Sequence, residues 1–135
     1  MLRRFFTITL FVMLCLSYLT YSQEPSPVKS STINRNVQQR ADIPGTNLEV
    51  VLAATEISKE ATVESHIHHN IVIVYVVEGE YWIQLKDQPR KILHAGESIT
   101  VPANIVHQDG ASGKKVKLTA VYVVEKGKPL ASPAP

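Results

Sequence analysis

Five histidines in this chain could do chemistry, and three of them crowd into four positions, in Ser65-His66-Ile67-His68-His69; His94 and His107 follow. Imidazole nitrogens suit Zn, Cu, Fe and Ni alike. Bonds of about 2 Å to one ion demand side chains that converge closely. Residues two apart on a strand point to the same face, so His66 and His68 would both point inward, placed for two bonds to one ion. His69 falls on the opposite face unless a bulge intervenes; it reads as a rim residue or as a substitute ligand. His94 sits beside a turn and reads as a solvated edge residue. The single cysteine, Cys15, lies in an apolar N-terminal run that reads as a cleaved leader, so after cleavage a metal would be held by His, carboxylates or carbonyls, and no thiolate nucleophile is expected. There is no Ser-His-Asp arrangement, no phosphate loop and no carboxylate pair placed for glycoside chemistry.

The segments that must position these histidines read as strands. Residues 48–57 are rich in Val and Leu, 72–77 form a β-branched run with one tyrosine, and 81–85 alternate. Shorter strands are expected at 91–93 and 98–101, the latter ended by Pro102. The last is expected at 116–124, entered through a loop at 110–113. Turns fall at Glu78-Gly79-Glu80, at 86–90 with Asp87 and Pro89, and at Ala95-Gly96-Glu97. Short β-branched runs separated by Gly, Pro and Asp clusters indicate an all-β sandwich or barrel. No stretch beyond the N-terminal segment has helical periodicity. By alternation Val72, Val74 and Val76 face inward and Tyr75 faces out, toward a partner subunit. Tyr81 and Trp82 read as strand packing or pocket lining, and Gln108 points away from any ligand of His107.

The ends differ in character. Arg3 and Arg4 precede an apolar run over residues 5–19, with small residues at Thr20 and Ser22 before the polar Gln23 and Glu24. This describes a secretory signal peptide, residues 1–22, cut after Ser22; an uncleaved anchor is the alternative, though the run is shorter than the roughly 20 residues of a relaxed membrane span. The chain is therefore expected to be exported, periplasmic or secreted, and free of the membrane after cleavage. Its 14 basic and 12 acidic residues become 12 of each once Arg3 and Arg4 are removed. A chain without net charge or a basic patch is not expected to bind nucleic acid. Residues 23–41 are polar, with Pro25 and Pro27, and read as a linker or loosely held arm. Asp42-Ile43-Pro44-Gly45 is a turn opening a domain over 42–125, and 126–135 reads as a surface tail.

The spacing of the histidines resembles that of the cupin superfamily. His66-x-His68, then Val72 after three residues and Gly79 after six more, is similar to the first cupin motif. Gly96, five residues, Pro102-x-Asn104, two residues, then His107 is similar to the second. The run Val74-Tyr75-Val76-Val77-Glu78-Gly79 looks like the strand and turn of small single-domain cupins. The resemblance covers residues 57–124. The departures are Glu60 where the first motif opens with Gly, Val72 where the family usually has a Glu ligand, Asn104 for a Gly and Ala111 for an Asn.

The resemblance implies a double-stranded β-helix, a jelly-roll barrel of two antiparallel sheets, with His66, His68 and His107 as the retained ligands of one divalent ion: Fe, Mn, Cu, Ni or Zn. Three neutral imidazoles leave such an ion its full charge and open positions, which favours an anionic or chelating ligand. Three-His sites occur in catalytic zinc proteins, the common iron triad has a carboxylate, and some cupin thiol dioxygenases use three histidines with iron. The expectation is a metal-dependent, dioxygenase-like enzyme on a small anionic or enol-type molecule. The alternatives are a non-catalytic module that captures a small molecule or a metal, and a barrel kept for protein contacts. Cupin barrels commonly pair, so a homodimer is implied, which also covers sheet edges.

Overall fold

β-branched and aromatic residues suit a pleated, half-buried surface, and Gly, Pro and Asp interrupt it. The computed structural model describes residues 33–135 and is all β there. Its strands are β1 (Ile33–Asp42), β2 (Leu48–Ile57), β3 (Thr62–Ile67), β4 (Val72–Glu78), β5 (Glu80–Leu85), β6 (Lys91–His94), β7 (Ser98–Val101), β8 (His107–Ala111), β9 (Val116–Glu125) and β10 (Ser132–Pro133). The expected signal segment, residues 1–22, lies outside the described residues.

The strands form two antiparallel five-stranded sheets, in the orders β1-β2-β9-β4-β7 and β10-β3-β8-β5-β6. The sheets face each other as a jelly-roll barrel, the architecture expected from the sequence. Period-2 alternation fills the space between them. Val51, Ala53 and Ile57 of β2, Val72, Val74 and Val76 of β4, and Val116, Leu118, Ala120, Tyr122 and Val124 of β9 are all buried. Ile83, Leu93 and Val101 close the core from β5, β6 and β7. Fully burying one Val, Leu or Ile contributes about 1.5–3 kcal/mol, so the inward rows supply most of what holds the sheets together.

Both ends of the chain correct the sequence reading. The segment read as a linker over 23–41 is, from Ile33 onward, a ten-residue strand paired with β2 from Ile33↔Ile57 to Asp42↔Glu49. It is an edge strand with almost every side chain exposed, so it carries no apolar alternation to betray it. Asp42-Ile43-Pro44-Gly45 therefore does not open the domain. It is the turn between β1 and β2, closed by Ile43 N–H donating to the Leu48 carbonyl at 3.0 Å. The tail 126–135 is likewise tied down: Ser132 and Pro133 pair with Ile67 and His66, and Ala134 N–H donates to the Ser65 carbonyl at 3.1 Å. Gly110, expected in a loop, lies inside β8 and packs under Trp82, where a Cβ would meet Trp82 Nε1 at 2.8 Å.

The turn from β4 to β5 is tightly constrained. Gly79 has φ +89°, and a Cβ there would sit 2.6 Å from the Lys115 carbonyl oxygen. Gly96 has a similar φ of +93° with open space around it. Left-handed backbone alone costs an L-residue roughly 1–2 kcal/mol, and a backbone clash adds to that. Gly79→Ala should therefore lower the denaturation midpoint clearly more than Gly96→Ala. Equal losses in parallel urea titrations would contradict the packing described for this turn.

Candidate metal centre

His66 lies near the end of β3, His68 one residue beyond it, and His107 opens β8 directly opposite His66. All three are buried. Their ring centroids are 4.1 Å apart for His66 and His107, 4.9 Å for His68 and His107, and 5.0 Å for His66 and His68. A register shift between Val63 and His66 in the β3–β8 pairing re-aims the end of β3, a common use of bulges beside functional sites. The loop before His107 is held by Asn104, at φ 59°, whose N–H donates to the His68 carbonyl at 2.7 Å.

Each ring is oriented by the backbone. His66 Nδ1 is 2.8 Å from the Glu64 carbonyl oxygen, His68 Nδ1 2.7 Å from that of Leu130, and His107 Nδ1 2.9 Å from that of Ile105. A carbonyl only accepts, so each Nδ1 must carry the proton. The lone pair is then on Nε2 in all three. One ligand nitrogen from each ring lies within 4.8 Å of the others. Two nitrogens bonded to one ion at about 2.1 Å can be no more than about 4 Å apart, so side-chain shifts of under about 1 Å would close the set. Three neutral donors with outer-shell partners on the second nitrogen are the arrangement that metal-binding histidines show, and the residues fit a divalent ion.

Burial lowers the pKa of all three rings, of His68 to about 4. Each would also repel a charged neighbour in so small a space. The opposite effect acts on Asp109, which follows His107 by two residues on the same face. Its Oδ2 is 3.9 Å from His66 Nε2. Burial raises its pKa to about 7, while the Arg35 charge and the Tyr81 hydroxyl act to lower it. Tyr81 itself is pushed well above its ordinary value by burial and by Asp109.

The rings open on a cavity of about 30 Å³ whose lining includes Arg35, Thr55, Val74, Tyr81, Asp109 and Tyr122. It holds one or two water-sized groups, far less than a drug-sized ligand needs. Val72 and Val76 face inward as expected but do not line it; its apolar wall is Val74 with Ile57, Val63, Val101, Leu118 and Ala120. His69 stays at the surface, its Nε2 3.0 Å from Ser132 Oγ. His94 is exposed beside Glu80. Tyr75 faces out, and Trp82 packs under the Arg90 guanidinium, 3.8 Å from its centroid. Sequence reasoning missed Arg35, Thr55, Asp109 and Tyr122. Only Asp109 had a signal, its two-residue spacing from His107.

The histidine shifts have a sign. A ring that is neutral when folded and charges at about 6.5 when unfolded gives stability that is present above pH 6.5 and lost as pH falls toward its folded value. For His68, with a folded value of about 4, the loss is on the order of 3 kcal/mol. Metal-free protein should therefore lose stability steeply between pH 6.5 and 4. A His68→Gln variant should show a flatter pH dependence in the same denaturation series; an unchanged slope would mean that His68 does not charge on unfolding.

Comparisons with known proteins agree with this fold. Among curated proteins no sequence matches the chain. Among solved structures, a cupin superfamily protein from Desulfitobacterium hafniense DCB-2 superposes with a TM-score of 0.60 at 16% identity, over 76% of this chain and 93% of that one. A cupin-like protein from Thermotoga maritima gives 0.60 at 20% identity, over 76% of each chain. The DMSP lyase DddQ from Ruegeria pomeroyi DSS-3 gives 0.56 at 12% identity, over 62% of this chain and 42% of that one. These likenesses are of fold. The cupin domain family model matches residues 54–124, more than half of the chain and both histidine motifs, and the chain belongs to the cupin family.

Proposed function

We propose that this cupin binds one divalent metal ion on His66, His68 and His107 and acts there as an enzyme on a small anionic molecule. The observation that carries the reading is the set of three Nδ1–H bonds to backbone carbonyls, which leaves three lone pairs facing one small space. When bound, the ion supplies Lewis acidity to an oxygen-bearing ligand. The chain's own residues orient the rings, exclude bulk water through Val74 and Tyr122, and place the Asp109 carboxyl beside His66. The buried Val72 offers no charge to offset the ion, which favours an anionic ligand. Oxygen chemistry of the dioxygenase kind is compatible with three histidines. A structural neighbour named as a lyase shares a fold that hosts many chemistries. The small cavity favours a second reading, a module that captures a metal without turnover.

Elemental analysis of protein purified without chelator or His tag should find near one equivalent of iron, manganese, copper, nickel or zinc, lost in the His66→Ala/His68→Ala double variant. Bound metal should also raise the melting temperature, since it binds only the folded chain. No metal after refilling trials with each ion would remove this reading. Turnover of a substrate, lost in His68→Ala, separates the enzyme from the capture module.

The signal-like pattern over residues 1–22 supports export as the setting. Pairing of two copies is supported by the outer face of β4 and the residue before it, where Ile71, Ile73, Tyr75 and Val77 are 44–50% exposed in one row. Half-buried Val121 and Val123 of β9 extend it. A row of this kind marks an interaction surface. Sedimentation should show a dimer, and Tyr75→Lys should shift it to monomer; a wild-type monomer at micromolar concentration would exclude the pairing.

A further inference from the structure

The strand β1 brings a cation to the mouth of the cavity. Arg35 and Thr55 are direct cross-strand partners, so their side chains share a face of the sheet. Thr55 belongs to the inward row of β2 and is 5% exposed. That face is the interior, and both residues line the cavity. The Thr55 hydroxyl has no hydrogen-bond partner among the described residues. A buried hydroxyl without a partner is costly, and one in a cavity wall is placed to bond the polar group that occupies the cavity.

Arg35 is an exposed residue and makes no ion pair within 4 Å among the described residues. It is held over the cavity by the Tyr122 ring, 5.6 Å from its guanidinium carbon to the centroid. The charge balance follows from the lining. Asp109 is the one acidic side chain there, set against Arg35 and the two charges of a divalent ion on neutral rings. A wider groove of about 240 Å³ shares Arg35, Val63 and His66 with the cavity and runs along the C-terminal strand. It offers an open path for the remainder of a molecule whose reactive end lies inside.

We propose that Arg35 and Thr55 form a carboxylate-binding subsite. The substrate class of this site is then a small organic acid with a second oxygen close to its carboxylate, such as a 2-oxo or 2-hydroxy acid. The guanidinium fork donates two parallel N–H bonds to a carboxylate, and the Thr55 hydroxyl donates a third. The second oxygen faces the ion. This inference rests on the metal-site reading for that last contact alone. The pairing of Arg35 with Thr55 stands without it.

The test is calorimetric titration of zinc-loaded and metal-free protein with pyruvate and with its neutral analogue pyruvamide. Wild type should bind pyruvate at least about tenfold more tightly than pyruvamide, as a charge-assisted pair predicts. Arg35→Met should bring that ratio to about one while zinc affinity, titrated first on the same samples, stays unchanged. Thr55→Val should raise the melting temperature, because it removes an unpaired buried hydroxyl, and weaken pyruvate several-fold. A structural role for Thr55 alone would not give those opposite shifts. Equal binding of the two probes by wild type, absence of pyruvate binding at millimolar concentration, or a ratio that survives Arg35→Met overturns the proposal. Failure of the metal reading shows separately, as a missing zinc isotherm, and the metal-free arm then decides the carboxylate subsite by the same ratio.

Discussion

Three imidazoles can share the inside of a β-barrel only while they are uncharged. Burial penalises the imidazolium, and rings 4–5 Å apart would repel if more than one were protonated. Neutrality alone leaves the tautomer open, and the carbonyls of Glu64, Ile105 and Leu130 settle it by accepting from Nδ1 in each case. Those carbonyls have to be available, which constrains the backbone. The register shift in the β3–β8 pairing spans the residue that serves His66. The Asn104 turn places the one that serves His107. The tail is held along β3 so that Leu130 reaches His68.

Much of this was legible in the chain. Buried strands announce themselves by Val, Leu and β-branched runs or by alternation, and β2, β4, β5 and β9 fall close to where those patterns put them. The His66-x-His68 spacing implied a shared face, and both rings do point inward, although β3 ends one residue before His68. What escaped was structure held by backbone pairing rather than by apolar side chains. β1 is polar along nearly its whole length, and β10 contains only Ser132 and Pro133. The residues missed at the site follow from the same blindness. Arg35 rides on β1, and Leu130 contributes only a carbonyl, which no side-chain pattern can reveal.

The departures from the family motifs also look different in three dimensions. Glu60 and Asn104 stand where the motifs have glycine, and both keep a left-handed backbone, at φ 56° and 59°. Asn tolerates that region better than most residues; Glu does not. The turn shape is thus retained where the residue type is not. Gly79 is the contrasting case, because the Lys115 carbonyl occupies the place a side chain would need. Val72 is a different kind of departure. Its backbone is regular strand, and the substitution changes the charge of the site without moving it.

The bond between His68 and the Leu130 carbonyl joins residues 62 apart in sequence. Closing so long a loop comes late when a chain collapses, since local pairings form first and distant ones wait on them. The ribosome, which releases residues from the N-terminal side at roughly 5–20 per second, has made His66 and His68 several seconds before it makes Leu130. During that interval the carbonyl that orients His68 does not yet exist, and β3 lacks its β10 partner. The His68 ring is fixed only when the C-terminal segment docks. The set of three oriented imidazoles is thus a property of the finished chain.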